Sequence, residues 1–205
     1  MAKRLRKEER RRQVLDTAIG VFAQQGFRGT TTKRLAAAAG VSEATIYLHF
    51  PTKKALYKAI LEAKIRSLDP MLAELAAADE RSLKETLRGV ASAMLRKYKR
   101  DRTLLRLLLY SALEDHELAR SFFRQLMQGS FRRLTELLEE RQARGELRKD
   151  LDLQVAGRAF VGMIINEILW RELIGEVVLP RLSMERVVGG YVDTYLKGIS
   201  AWTEE

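Results

Sequence analysis

The segment Leu35-Ala36-Ala37-Ala38-Ala39-Gly40-Val41-Ser42-Glu43-Ala44-Thr45-Ile46-Tyr47 divides at its single glycine. Before Gly40, alanines give a helix a smooth face that a second helix can approach closely. Gly40 supplies a turn in which a side chain would be strained. Val41 can plug the angle between the two helices. Ser42 can cap the second one by accepting a bond from a free N–H. The first turn of that helix, from Glu43, then faces outward. This is helix-turn-helix character, and in such a motif the second helix lies in the DNA major groove. An ordinary αα-hairpin can show the same pattern, so the surroundings of the segment have to discriminate.

The chain has 205 residues, is 46% hydrophobic and 31% charged, and carries a formal net charge of +10. That describes one large or two small globular domains, not a disordered chain. The charge is unevenly placed. Residues 1–66 hold 15 Lys/Arg against five Asp/Glu, whereas residues 67–205 hold 22 of each. A basic first third on a balanced remainder implies a polyanionic partner for that third alone, although a merely solvated basic surface gives the same count. The 35–47 segment lies inside the basic region.

Other function classes are excluded by what is missing. There is no cysteine, and the two histidines, His49 and His116, are far apart in sequence. Disulfides and thiolate metal sites are therefore out, and little remains for a histidine-built one. No HExxH, P-loop, Rossmann fingerprint or G-x-S-x-G occurs. The acid pairs Glu114/Asp115 and Glu139/Glu140 are sequence neighbours and cannot share a helix face. Neither an enzyme nor a cofactor is expected. No apolar stretch of signal-peptide length follows the basic start. The longest apolar runs, near 159–170, are broken by Asn166 and Glu167 and fall short of a membrane span. A cytoplasmic protein with no membrane partner is expected.

Almost the whole chain reads as helix, with no sustained two-residue alternation. Apolar residues at three- to four-residue spacing predict a helix over 9–25, stopped by Gly26. Short helices follow at 33–39, capped by Thr31 or Thr32, and at 43–49, capped by Ser42 and closed by Pro51. Thr52 can cap the next. Longer helices are expected at 71–78, 82–100, 103–113, 116–144 and 153–174. A final helix, capped by Ser183, runs to about Trp202. The expected fold is all-α, about nine helices, with an N-terminal three-helix domain and a C-terminal helical bundle. The boundary is placed at 52/53.

The resemblance at this point is specific. Residues 10–62 resemble the N-terminal DNA-binding domain of the TetR family of bacterial transcriptional regulators. The matching text is Arg12-Gln13-Val14-Leu15-Asp16-Thr17-Ala18, Val21-Phe22-Ala23-Gln24-Gln25-Gly26-Phe27 and Gly29-Thr30-Thr31. It continues as Leu35-Ala36, Ala39-Gly40-Val41-Ser42, Thr45-Ile46-Tyr47-Leu48-His49-Phe50 and Lys53-Lys54-Ala55-Leu56. The match covers about a quarter of the chain. The remainder is similar only in being helical and of the expected length, so it names no ligand.

Position and resemblance together assign DNA-facing roles. Thr31 should cap the first motif helix and can touch a phosphate. Lys33 and Arg34 lie near the backbone. Ser42 starts the recognition helix, and Glu43, Ala44 and Thr45 open it, best placed to reach base edges. The Ala44 methyl can meet a thymine methyl, and Glu43 can accept from a cytosine amine or cap the helix. Tyr47 and His49 are phosphate contacts by resemblance, though His49 can equally be a packed or capping residue. Leu48 departs from the polar or aromatic residue expected there, and apolar contact with DNA or local packing both remain open. Lys53, at the next helix start, is a candidate phosphate site. The basic leader 3–12 is either a frayed tail or an arm along the backbone or minor groove.

One recognition helix is a small contact, and such proteins usually pair to read inverted repeats. A homodimer on a double-stranded DNA operator is expected, with the last two long helices as the pairing elements. Gly157 and Gly162 on the first, and Val188, Tyr191, Val192 and Tyr195 among the glycines of the second, mark the expected interface. The resemblance implies an intersubunit four-helix bundle. Apolar helices suggest a pocket for a small apolar or amphipathic effector, lined by Leu105, Leu108, Leu109, Phe123, Met127, Phe131, Phe160, Met163, Ile164 and Trp170. Tyr110, Asn166, Glu167 and His116 are its candidate polar anchors. Each of these can instead be ordinary core or interface. The expected function is a ligand-released repressor. The alternatives are a regulator of this kind that senses no small molecule, and a nucleic-acid or membrane-surface binder without sequence preference.

Overall fold

The computed structural model describes residues 2–66, 69–78, 81–114, 117, 120, 124, 129, 131–173 and 182–201. Among these the fold is all-α, with ten helices and a lone antiparallel bridge between Leu147 and Ser200. They are α1 (Ala2–Gln25), α2 (Thr32–Ala39), α3 (Glu43–His49), α4 (Lys53–Arg66), α5 (Asp69–Ala76), α6 (Leu83–Arg100), α7 (Thr103–Glu114), α8 (Arg132–Ala143), α9 (Leu153–Leu173) and α10 (Met184–Ile199). No helix of the described residues is long and apolar enough to cross a membrane. The chain forms two compact units, Met1–Ser67 with Asp101–Gln125, and Leu68–Arg100 with Leu126–Glu205.

The first unit is built on α1. Val14, Ala18 and Phe22, four residues apart, are buried on its one apolar face, the spacing that puts side chains on a single stripe. That helix receives α2, α4 and α7. An aromatic cluster fills the centre, with Phe22 edge-on to Tyr57 at 4.8 Å and Phe27 tilted on Tyr57 at 5.3 Å. The Tyr57 hydroxyl is buried and satisfied. It donates to Leu107 O at 3.0 Å and lies 2.8 Å from Ser111 Oγ, so α7 is tied to α4.

The second unit packs α6 against α5, α9 and α10, and α8 against α5 and α9. Leu87, Val90, Leu134, Leu137, Phe160 and Val192 form its core. Ser82 and Glu85 make a reciprocal capping box at the start of α6: Ser82 N–H donates to Glu85, and Glu85 N–H to Ser82 Oγ, which satisfies two otherwise orphaned donors. Arg141 is buried, and its guanidinium donates to Ala78 O, Arg81 O and Glu146.

Two helix ends differ from the sequence expectation. The first helix starts at Ala2 rather than near residue 9, so the leader is helical through the described residues. Straight-chain Lys, Arg and Glu favour helix, and no glycine or proline interrupts them. Arg10 to Gln13 and Arg12 to Asp16 add pairs one turn apart. The last helix stops at Ile199 rather than near Trp202. Its end is drawn into extended pairing, with Arg148 N–H donating to Ile199 O and Ala201 N–H to Glu146 O. The region 116–131 lies largely outside the described residues.

Candidate nucleic-acid interface

The helix-turn-helix is fastened at every end. Thr31 caps α2, its hydroxyl accepting from Arg34 N–H at 3.2 Å. Leu35, Ala36 and Ala39 are buried on its inner side. Gly40 closes α2 at φ +63, with its own N–H to Ala37 O and Val41 N–H to Ala36 O. This is the paired bonding of a Schellman stop, and it requires the left-handed residue that glycine tolerates best. Gln13 reaches from α1 to donate to the Ala39 carbonyl at 3.0 Å. Ser42 caps α3, accepting from Thr45 N–H at 3.1 Å and pairing with the Thr45 hydroxyl at 2.9 Å. Only Ile46 of α3 is buried, and Phe50, itself buried, ends the helix.

The opposite face is open. Thr31, Lys33 and Arg34 on α2 are exposed, as are Ser42, Glu43, Ala44, Tyr47 and Leu48 at α3, with Thr45 and His49 half-buried. Tyr47 and Leu48 are 47% and 71% exposed, large values for residues of this size and polarity. The Tyr47 hydroxyl lies 3.0 Å from Thr32 Oγ1. That contact fixes α3 against the start of α2, a role for Thr32 that the sequence alone does not signal. The structure thus brings together ten of the expected DNA-facing residues on or beside one surface.

Lys53 behaves differently from the other cations. Its ammonium donates to Phe27 O at 2.9 Å and Thr30 O at 2.8 Å, and sits 4.4 Å over the Phe27 ring. Two of its three donors therefore staple the turn between α1 and α2. Burial lowers its pKa, with Glu114 partly opposing. That turn is gripped from α7 as well. The Glu114 carboxylate accepts from Arg28 N–H at 2.9 Å, and Tyr110 donates to Gln24 O at 3.3 Å. Gln13, Tyr110 and Glu114 all shape the motif, and sequence reasoning gives none of them that part. For Glu114, 86 residues from its partner, no local pattern could signal it.

His49 ends α3 beside the basic start of α1. Its Nδ1 is buried without a hydrogen-bond partner. Burial lowers its pKa, and Lys7 and Arg11 lower it further. Arg11 is held there by its guanidinium stacking 4.8 Å over the Phe50 ring. The leader helix thus carries cations alongside the end of the recognition helix.

Two family profiles match the chain. One, "Bacterial regulatory proteins, tetR family", matches residues 14–60. The other, "AefR-like transcriptional repressor, C-terminal domain", matches residues 82–198, more than half of the sequence. The chain belongs to the TetR family. It is a TetR-family DNA-binding transcriptional regulator. It is similar to the "Probable acrEF/envCD operon repressor" of Escherichia coli (strain K12), 32% identical over 81% of this chain and 80% of that one. It is also similar to the HTH-type transcriptional repressor KstR2 of Rhodococcus jostii, 26% identical over 95% and 93%. Its fold matches Bacillus subtilis FadR, solved in complex with stearoyl-CoA, at a TM-score of 0.76, with 22% identity over 91% and 98% of the two chains.

The residues expected in an effector pocket divide between the two units of this TetR-family protein. Leu105, Leu108, Leu109 and Tyr110 are half-buried on α7 in the first. In the second, Phe131, Phe160 and Ile164 are core, Phe160 lies 5.2 Å from the Tyr195 ring, and Met163 is half-buried. Glu167 is engaged, accepting from Arg171 and from the Tyr191 hydroxyl. Asn166 and Trp170 are exposed on α9. Phe123, Met127 and His116 lie outside the described residues.

The residues expected at a dimer interface also divide. Val188, Val192 and Tyr195 are buried within their own unit, Tyr195 donating to Ala156 O. Gly157 is buried against Phe131. Tyr191 is half-buried on Glu167. Gly162 is exposed. A Cβ at Gly162, Gly190 or Gly198 would meet no atom within 4 Å.

Proposed function

We infer that the protein is a homodimeric repressor that binds a palindromic operator and is released by a small apolar or amphipathic effector. The observation that carries this is the open face of α2 and α3, two helices capped and tied so that Lys33, Arg34, Glu43, Ala44, Tyr47 and Leu48 point away from the protein. In this reading Thr31, Lys33, Arg34, Tyr47 and His49 meet phosphates, while Ser42, Glu43, Ala44, Thr45 and Leu48 face bases. Lys53 acts chiefly by shaping the α1–α2 turn, with one donor left for a phosphate.

Pairing is assigned to the outward stripe of α9 and α10. Val155, Gly162, Ile165, Asn166 and Trp170 on α9 are exposed at helical spacing, as are Gly190, Thr194 and Gly198 on α10. Apolar groups beside open glycines suit close helix approach by a second copy. The residues after the DNA-binding helices, 53–205, would carry pairing and sensing. An acyl thioester is the first effector class to test, because the FadR of the same fold was solved with stearoyl-CoA.

Selection of sites from a random DNA pool should enrich an inverted repeat, and acyl thioesters should release the protein from it. Ile165→Glu, at an exposed position, should give a monomer in sedimentation and weaken operator binding. A monomeric wild type, or a non-palindromic site, would overturn the dimer reading. Binding unaffected by every compound class would favour a regulator that senses no small molecule.

A further inference from the structure

The four exposed positions of α3 are Glu43, Ala44, Tyr47 and Leu48. They lie three and four residues apart and so share one helix face. The Tyr47 hydroxyl is already held by Thr32. The Ser42 and Thr45 hydroxyls, also turned to the bases, are engaged with each other, so the uncommitted groups are a carboxylate, a methyl and an isobutyl group. Residues 42–50 contain no Lys, Arg, Asn or Gln. The commonest readers of guanine and adenine, a bidentate Arg or Lys and a bidentate Asn or Gln, are absent from this helix.

Leu48 protrudes, since a side chain 71% exposed does not pack locally. It sits one turn after Ala44, and the two make an apolar stripe. Its surroundings suit a polyanion, because Lys33 and Arg34 are exposed on α2 and Lys7 and Arg11 flank His49. An apolar stripe on a helix whose packing neighbour α2 carries exposed cations matches a groove in which phosphates flank thymine methyl groups. Glu43 is exposed in the first turn and makes no ion pair among the described residues. An acid there is repelled by phosphates unless it accepts a hydrogen bond from a base. In the major groove, cytosine presents only its exocyclic amine as a donor, and thymine presents its C5-methyl group.

We propose that the recognition helix reads the C4–C5 edges of pyrimidines: Leu48, with Ala44, meets thymine methyl groups, and Glu43 accepts from a cytosine amine. This rests on the DNA-binding reading above and names which base features that surface selects.

The test begins with the site enriched from a random pool by the full-length protein. Each thymine in it is replaced in turn by deoxyuridine, which removes only the methyl group. At one or more half-site positions the wild type should lose affinity about fourfold, the factor for one buried carbon. Leu48→Ala, a change at an exposed position, should abolish that loss at its own position. Selection with Glu43→Gln should replace a cytosine preference by adenine at one position, because glutamine pairs bidentately with adenine. A uracil scan flat in the wild type, a penalty unchanged in Leu48→Ala, or a site unaltered by Glu43→Gln would overturn the proposal while DNA binding stood. A pool that enriches no site would overturn both.

Discussion

Gly26→Ala and Gly40→Ala form a matched pair that tests how α7 holds the DNA-binding helices. Both glycines end a helix at positive φ, +71 and +63. A residue with a side chain in that region costs roughly 1–2 kcal/mol, so the backbone contribution is common to both. The surroundings are not. A Cβ on Gly40 would meet nothing within 4 Å, whereas one on Gly26 would collide with Glu114 Oε1 and stand 2.7 Å from the Tyr110 ring. The carboxylate must leave, and the 2.9 Å bond it accepts from Arg28 N–H goes with it. A hydrogen bond to a charged group contributes roughly 1.5–3 kcal/mol, and the exposed site puts this one at the lower end. Gly40→Ala should therefore cost about 1–2 kcal/mol, and Gly26→Ala about 3 kcal/mol or more.

Urea unfolding followed by circular dichroism on the full chain measures both. In a Glu114→Ala background the penalty of Gly26→Ala should fall by about 1–1.5 kcal/mol. It should remain above that of Gly40→Ala, since the Tyr110 ring is still in place. The Gly40→Ala penalty should be unchanged by Glu114→Ala. Equal penalties for the two glycines, or a coupling between Gly26 and Glu114 below about 0.5 kcal/mol, would refute the idea that Glu114 clamps the turn.

Three further outcomes are expected. His49 has a folded pKa below its ordinary 6.5 because of burial and of Lys7, Arg11 and Arg10, with Glu8 opposing. The unfolded chain then binds more protons below pH 6.5, so this contribution to stability is complete above 6.5 and is lost as pH falls through the lower folded value. A phosphate beside His49 would raise that value, so operator affinity should rise as pH falls over the same range, and His49→Gln should flatten both profiles. Deleting residues 1–8 should make the slope of log K against log salt shallower by about 0.9 for each phosphate that those residues neutralise, and an unchanged slope would leave the leader helix without a DNA role. Arg141→Met, which removes the guanidinium bonds to Ala78 O, Arg81 O and Glu146, should destabilise the second unit by roughly 1.5–3 kcal/mol in thermal unfolding, the contribution of hydrogen bonds to a charged group.

The helices that sequence makes legible are those defined locally. Thr31, Ser42, Thr52 and Ser183 cap where expected, because a cap is a contact between residues three apart. Gly40 stops α2 because its backbone requirement is its own. The less legible features depend on distant partners. Whether Leu48 packs or protrudes cannot be read from a short helix in which every residue has a near neighbour in sequence. Lys53 reads as a phosphate-binding lysine until the Phe27 and Thr30 carbonyls are placed beside it. Asn166 and Trp170 read as pocket wall because α9 is apolar on most of its circumference, and a helix without a polar face gives no periodicity to tell inside from outside. For Tyr195 and Val192 the reverse holds: the glycines around them and the family resemblance mark them for pairing, and the unit's own core takes them up.

The excess charge of the first third and the chemistry of its recognition helix point to a separation of tasks. The cations stand on α1, in the turn after it, on α2 and along α4. The helix placed to enter the groove carries only Glu43 and His49 as ionisable groups other than Tyr47. Non-specific affinity for DNA comes almost entirely from phosphate neutralisation and weakens with salt. An acceptor and apolar groups add nothing to that component and discriminate only when the correct base is opposite. An acid at Glu43 also penalises every misplaced register, since it then faces phosphate or a base acceptor without a donor to offset it. The expected consequence is a ratio of specific to random DNA binding that is lower for Glu43→Ala than for wild type, by a margin that narrows as salt screens the repulsion between the acid and phosphate, and competition titrations at two salt concentrations measure it directly.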